Sequence, residues 1–251
     1  MRGMEPHGIR HVRPVRPVRF PASDPEWEMS ESVRHGLLCD LLYRLLRVAV
    51  GSGSTVGKDN FVYFDASNAR RKCAPDGFVK LDLPQTMFDS YKTWEHGAPE
   101  LCVEILSPSD TEEKLTFEEK LERFHAIGVA EVVAFDVDAP VGERIRAWDL
   151  VEGDLVERVV EDERTPSLVL GKWFVVAPYA LDGLPAALRL SDDREGSRLV
   201  LHPLEQERAD KERERADKER ERADKERERA EKEKALAEVE RLRAELARRG
   251  G

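Results

Sequence analysis

The chain has few cysteines and no long apolar run, and both shortages narrow the class of protein. Cys39, Cys73 and Cys102 show neither a paired spacing nor a zinc-binding pattern, so we expect reduced thiols rather than disulfides or structural zinc. No stretch approaches the ~20 apolar residues of a membrane helix. The N-terminal basic residues are not followed by the apolar core of a secretory signal. We therefore expect a cytoplasmic protein with no membrane partner.

Basic residues are not in excess either. The 251 residues include 41 Lys and Arg against 51 Asp and Glu, which gives a net charge of −10. Residues 205–251 carry 16 acidic and 16 basic side chains, so the rest of the chain carries the whole negative charge. This balance excludes a basic, histone-like protein, and a hydrophobic content of 40% excludes a fully disordered chain.

Three regions of different composition follow one another along the chain. Residues 1–27 contain a Val-Arg-Pro repeat, which predicts an extended basic arm because proline breaks helices and sheet ladders. Its arginines suit contacts with phosphate, but a terminus with no role is the favoured interpretation. Residues 28–200 have the composition of a folded domain. Residues 201–251 are strongly charged and form the third region.

The apolar pattern of the middle region predicts an α/β (α+β) fold. A leucine stripe between Leu38 and Leu46, at spacings of three and four residues, predicts a buried helix face that begins near Ser30 or Glu31. A second helix is predicted over residues 111–127. Short apolar runs bounded by turn residues predict strands, and the last three strands are spaced like an antiparallel meander. The predicted strands are 61–64, 77–81, 101–106, 131–137, 144–150, 155–160 and 173–177.

The charged region repeats a seven-residue unit, Glu-Arg-Ala-Asp-Lys-Glu-Arg, from Glu207. Each repeat places a glutamate four residues before a lysine, the orientation in which ion pairs stabilise a helix. A coiled coil needs two apolar positions per heptad, and most repeats offer only alanine. We therefore predict a solvated single helix. Only the end has an apolar seam, which could form a short coiled coil in a homodimer or fold back on the domain: Ala235, Val239, Leu242 and Leu246.

Three charged residues have the types and surroundings of a metal-dependent hydrolytic site. Asp76 directly precedes a predicted strand, Glu104 lies within an otherwise apolar strand, and Lys120 lies on the helix face directed at the sheet. Two carboxylates can hold an oxygen-liganded Mg²⁺, and a lysine can orient a water molecule. Each residue also has an ordinary explanation, as a turn residue, a salt-bridged carboxylate and a surface lysine. Their occurrence together in this order favours the site.

The segments that carry these residues resemble the Uma-two family of restriction endonucleases, within the PD-(D/E)XK nuclease superfamily. They are Ala-Pro-Asp-Gly-Phe-Val from Ala74, Val-Glu-Ile-Leu-Ser-Pro-Ser from Val103, and Lys-Leu-Glu-Arg-Phe-His-Ala-Ile-Gly-Val-Ala-Glu from Lys120. Residues 31–35 and 90–95 add support. The resemblance covers roughly residues 28–180. It implies a restriction-endonuclease-like core, with a central mixed sheet flanked by helices.

The resemblance also implies the roles of the site residues. Asp76 and Glu104 would bind Mg²⁺ or Mn²⁺, Lys120 would be the catalytic lysine, and Glu31 would match an acidic position of the first helix. The lysine that usually follows the glutamate by two positions is replaced by Leu106. The family often has Asp at the position of Thr116, so this departure concerns the surroundings of the site.

Two functions remain open from the sequence. The first is a Mg²⁺-dependent endonuclease that hydrolyses phosphodiester bonds of DNA, with Arg70, Arg71 and Lys72 as a local basic patch. The acidic charge of the domain weighs against it, since phosphate contacts normally come from a basic surface. The second is a catalytically silent, nuclease-like interaction protein that presents a long charged helix to partners. The regularity of the repeats favours this alternative.

Overall fold

The computed structural model describes residues 33–106 and 116–249, without the side chains of residues 238, 240 and 245–247. The described residues form two compact units, which divide between Val200 and Leu201. The predicted basic arm and Glu31 lie outside the described residues, so both stay predictions. Among the described residues, no helix combines the length and apolarity that crossing a bilayer requires.

A six-stranded mixed sheet forms the centre of the first unit, which confirms the α/β class. Strands β6 (Leu101–Leu106) and β7 (Glu131–Asp136) lie at its middle and run parallel, and every other neighbouring pair runs antiparallel. The parallel pair is joined through a helix, the usual connection between parallel strands. In sheet order, the strands are β1 (Thr55–Gly57), β4 (Gly77–Lys80), β6 (Leu101–Leu106), β7 (Glu131–Asp136), β8 (Ile145–Val151) and β9 (Asp154–Arg158).

Two helices cover opposite faces of this sheet. Helix α1 (Val33–Val50) buries the predicted leucine stripe against β1, β4 and β6. On the other face, helix α3 (Phe117–Ile127) buries Phe124 in a second apolar cluster. Successive residues of β6 alternate between these two cores, as side chains of a strand must. Glu104 therefore shares the face of Cys102, on the side of α3.

The ends of α3 are defined by local hydrogen bonds. Thr116 caps its N-terminus: its side chain accepts from the amide of Glu119, whose carboxylate in turn accepts from the amide of Thr116. This reciprocal pair satisfies two amides that the helix itself leaves without partners. At the other end, Gly128 adopts a left-handed conformation with φ of 82°, which glycine accepts without steric cost. The caps thus set where Lys120 lies along the sheet.

Two three-stranded sheets complete the first unit. One contains β2 (Val62–Tyr63), β3 (Lys72–Cys73) and β5 (Tyr91–Lys92), followed by the single turn of α2 (Thr93–His96). The other contains β10 (Arg164–Ser167), β11 (Lys172–Tyr179) and β12 (Leu184–Ser191). The predicted meander is therefore wrong in its third strand. Strands β8 and β9 pair in the central sheet, whereas β11 pairs with two strands that the sequence pattern did not reveal.

The second unit consists mainly of one helix, α4 (Pro203–Arg249). Its repeats form the expected ion pairs: Lys211, Lys218 and Lys225 each contact the glutamate four residues earlier. Their side chains are largely exposed, so each pair contributes little on its own. Many such pairs on good helix formers account for a helix without a core of its own.

Candidate active site

Asp76 directly precedes β4, and Glu104 lies on β6, the neighbouring antiparallel strand of the central sheet. Gly77 on β4 is paired with Val103 on β6, so Asp76 and Glu104 occupy the next pair of positions along the same ladder. One oxygen of Asp76, Oδ2, accepts a hydrogen bond of 2.6 Å from the amide of Ile105. Asp76 keeps 3% of its surface exposed and Glu104 none. The structure therefore places the two predicted carboxylates at neighbouring backbone positions, and both side chains are buried.

Lys120 reaches this pair from α3. Its Nζ lies 2.6 Å from Oε2 of Glu104, and its side chain keeps 16% of its surface exposed, whereas that of Glu104 is fully buried. Burying a carboxylate is costly unless a charge or hydrogen bonds compensate for it, and Lys120 supplies both. The prediction that Lys120 faces the sheet is correct. The ion pair is also what the ordinary explanation of a buried glutamate predicts, so geometry alone does not make Lys120 catalytic.

The side chains around this pair form a mixed electrostatic environment. Burial raises the pKa of the Cys73 thiol well above its usual range, and the charge of Glu104 raises it further, while Arg123 and Lys120 act in the opposite direction. Cys73 thus remains a thiol at neutral pH. Arg123 donates to the carbonyl of Lys72, which ties α3 to the small sheet beside the site.

Thr116 stands where the family resemblance leads one to expect aspartate, and it is the N-cap residue of α3. Aspartate and threonine are both good N-cap residues, and Thr116 caps the helix that carries Lys120. The carbonyl of Thr116 also accepts from the amide of Lys120 at 3.0 Å. Its role is therefore to position the helix.

Two side chains near Asp76, those of His35 and Cys39, were not predicted from the sequence as site residues. His35 and Cys39 lie one turn apart on α1, and both are buried. His35 Nε2 lies 3.5 Å from Oδ1 of Asp76 and 3.3 Å from the Cys39 sulfur. A signal was present, because both residues continue the leucine stripe at helical spacing. Nothing local indicates that they face Asp76, which is far away in the sequence.

The predicted basic patch is only partly at the surface. Arg70 and Arg71 are exposed, and the Arg71 guanidinium lies 5.0 Å from the centre of the Phe64 ring. Lys72 is buried instead, with Nζ 4.1 Å from the centre of the Phe61 ring. The patch therefore offers two exposed arginines rather than three cations.

A divalent cation of the hard type fits the chemistry of these donors. Asp76 and Glu104 supply carboxylate oxygens, which Mg²⁺ and Mn²⁺ prefer. Both carboxylates are buried, Glu104 on β6 and Asp76 at the residue before β4. Buried carboxylates are normally paired or coordinate a metal.

Comparisons with known proteins bear on this site. The family model described as "Uma2: Putative restriction endonuclease" matches residues 26–178, a range that contains all four predicted site residues. No curated protein matches the chain. Among solved structures, a chain described as a "putative nuclease belonging to DUF820" from Anabaena variabilis is similar, with 12% sequence identity and a TM-score of 0.39. That similarity covers 56% of this chain and 75% of the other.

Proposed function

Since the chain belongs to the Uma2 restriction endonuclease family, we propose that it is a nuclease that hydrolyses DNA phosphodiester bonds with a divalent cation, Mg²⁺ or Mn²⁺. The observation that carries the proposal is the ion pair of Lys120 with the buried Glu104, next to the backbone position of the buried Asp76. Within the family match, these residues have the types and order that the nuclease resemblance requires.

The roles follow from the position of each side chain. Asp76 and Glu104 would hold the cation through carboxylate oxygens. When bound, a divalent cation polarises the scissile phosphate and makes a coordinated water a better nucleophile. Lys120 carries a positive charge to the carboxylates from the partly exposed side, where it can stabilise charge on a phosphate or orient water. Glu31, outside the described residues, is proposed as a fourth member by the resemblance alone.

Cleavage of supercoiled plasmid by the full chain tests the proposal directly. We expect nicking that requires Mg²⁺ or Mn²⁺ and that falls about a hundredfold or more in Asp76→Asn, Glu104→Gln and Lys120→Ala, the loss typical of removing one electrostatic contributor. The matched controls are Asp89→Asn and Glu122→Gln, which change exposed carboxylates and should cleave like the native chain.

Binding of the metal should be measured separately from cleavage. Mn²⁺ is expected to raise the melting temperature of the native chain and of Glu122→Gln, but not that of Glu104→Gln, because ligands of the folded state stabilise it. If neither cation supports nicking nor shifts the melting temperature of the native chain, the nuclease function is wrong, and the alternative of an interaction protein with a silent site is favoured.

A homodimer through the end of α4 is the second part of the proposal. Val239 and Leu242 are large apolar side chains with 44% and 48% of their surfaces exposed, and the spacing of the seam alternates four and three residues as in a coiled coil. Sedimentation should show self-association of the full chain that Val239→Ser combined with Leu242→Ser removes. Ala223→Ser, within the polar repeats, is the control. A monomeric native chain at all concentrations contradicts the dimer.

A further inference from the structure

A histidine, a cysteine and an aspartate meet beneath the sheet on the side of α1. His35 and Cys39 are one helical turn apart, so they share one face of the helix, and Asp76 lies opposite them. The three ligand atoms lie within 4.8 Å of one another, and each residue keeps at most 4% of its surface exposed. Within the part of the chain that the structure describes, these are the residues whose donor atoms converge in this way.

The distances suit a tetrahedral metal site. Zinc binds sulfur at about 2.3 Å and nitrogen or oxygen at about 2.0–2.2 Å, which places neighbouring ligand atoms of a tetrahedron roughly 3.4–3.6 Å apart. His35 Nε2 lies 3.3 Å from Cys39 Sγ and 3.5 Å from Asp76 Oδ1. The distances from the imidazole nitrogen to the other two donor atoms are therefore already close to those between two ligand atoms of one tetrahedral metal ion.

The donor types select the class of metal. A sulfur and an imidazole nitrogen favour soft or borderline cations such as Zn²⁺ and Co²⁺ over Mg²⁺, which prefers oxygen alone. The cysteine pattern of the sequence gave no sign of such a site, because only one of the three ligands is a cysteine. The other two cysteines, Cys73 and Cys102, lie elsewhere, in the apolar cluster on the side of α3.

We propose that His35 Nε2, Cys39 Sγ and Asp76 Oδ1 bind a thiophilic divalent cation of the zinc type. On binding, the Cys39 S–H bond breaks, its proton leaves to solvent, and the sulfur forms a bond to the metal. Three protein ligands leave the fourth tetrahedral position to water or another small ligand, as in open zinc sites. No change of oxidation state is involved.

The proposed site shares Asp76 with the nuclease site. Oδ2 of Asp76 faces the amide of Ile105 on β6, while Oδ1 faces His35 on α1. A cation held on the side of α1 draws negative charge away from the oxygen that the catalytic cation would use. If the proposed function is right, on which this consequence rests, zinc inhibits Mg²⁺-dependent cleavage.

Cobalt titration of the full chain tests the site without reference to cleavage. Co²⁺ bound to a thiolate gives a charge-transfer band in the near ultraviolet, and we expect one equivalent to produce it. The band should disappear in Cys39→Ser and weaken in His35→Gln, but persist in Cys102→Ser, a change of another buried cysteine. No band in the native chain, or the same band in Cys39→Ser, overturns the proposal.

A measurement on the native chain guards against a variant that does not fold. X-ray absorption of the zinc-loaded chain should show one sulfur at about 2.3 Å together with nitrogen or oxygen ligands. A first shell without sulfur overturns the proposal whatever the variants do.

The predicted inhibition by zinc is tested last. Its failure can be distinguished from failure of the metal site and of the nuclease function. With Mg²⁺ in excess, zinc should inhibit the native chain, and Cys39→Ser should need at least about tenfold more zinc for the same fractional loss of its own activity, which corresponds to about 1.4 kcal/mol of binding. A native chain that binds cobalt and cleaves DNA, yet ignores zinc, shows that the two sites do not share Asp76. A chain that binds cobalt but never cleaves retains the metal site and loses only the nuclease function.

Discussion

Removing the positive charge of Lys120 should destabilise the fold far more than removing the negative charge of Glu104. Their ion pair joins a fully buried carboxylate to an ammonium whose side chain is 16% exposed. Lys120→Met leaves the Glu104 charge inside the protein without the ammonium that contacts its Oε2. Breaking a buried pair in this way typically costs 3–5 kcal/mol. Since the lysine side of the pair reaches solvent, we take the lower end, about 3 kcal/mol.

The reverse change is cheaper for a physical reason. In Glu104→Gln the amide can still accept a hydrogen bond, and the Lys120 ammonium can turn toward water on its flexible stem. We expect a loss of about 1 kcal/mol, the value of an ordinary hydrogen bond. The double variant, with neither charge, should lie near the native chain. The two single changes are therefore strongly non-additive, with a coupling of about 4 kcal/mol, the sum of the two single costs.

Unfolding in urea, followed by tryptophan fluorescence, is the suitable assay. Helix α4 contributes a large helical signal of its own, whereas Trp148 is buried in the domain, 5.2 Å from the ring of Phe117. Lys172→Met, which breaks the pair with the exposed Asp192, is the control and should cost little, because exposed ion pairs add little to stability. If Lys120→Met costs no more than this control, or if the two single changes add, then Glu104 does not depend on Lys120 and the reasoning is refuted.

Three further predictions concern the surroundings of the site. Thr116→Ala should lower the free energy of unfolding by about 1 kcal/mol through loss of the N-cap, while Thr86→Ala, at an exposed loop position, should change it little. Gly57→Ala should cost about 1–3 kcal/mol by overpacking, because a Cβ there overlaps the buried Phe78 ring, whereas Gly53→Ala meets no neighbour and is the control. Burial raises the pKa of Glu131 despite hydrogen bonds from Val169 and Ser167. The contribution of Glu131 to the free energy of unfolding is therefore largest at acid pH and is lost as pH rises through the raised pKa. Glu131→Gln should therefore lose less stability than the native chain between acid and neutral pH; equal slopes in urea unfolding over that range would contradict this.

Much of the fold was visible in the sequence because its central elements have strong local patterns. The leucine stripe of α1 has the spacing of a helix that is buried on one face. The continuous apolar runs of β6 and β7 are those of strands that are buried on both faces. Strand β12 was missed for the opposite reason. Its sequence contains Pro185 and Arg189, and the Arg189 side chain is fully buried, with its guanidinium donating to the carbonyls of Pro178 and Val200. The local sequence pattern does not predict that an arginine side chain is buried.

The candidate site shows the same division. The types of Asp76, Glu104 and Lys120 and the direction of Lys120 followed from strand and helix periodicity together with the family resemblance. The contact of His35 and Cys39 with Asp76 did not, because it depends on how α1 lies across the end of β4. Helical spacing shows that two residues share a face, but only the packed structure shows what that face meets.

The repeats of α4 make its length adjustable. Each seven-residue unit brings its own acid–base pair, so a unit can be gained or lost without leaving an unmatched charge. One unit adds about 10 Å along the axis and turns the following residues by only ~20°. Slippage of the repeated coding sequence could therefore lengthen or shorten this helix by whole repeats. The apolar seam at its end would still face nearly the same direction around the helix axis.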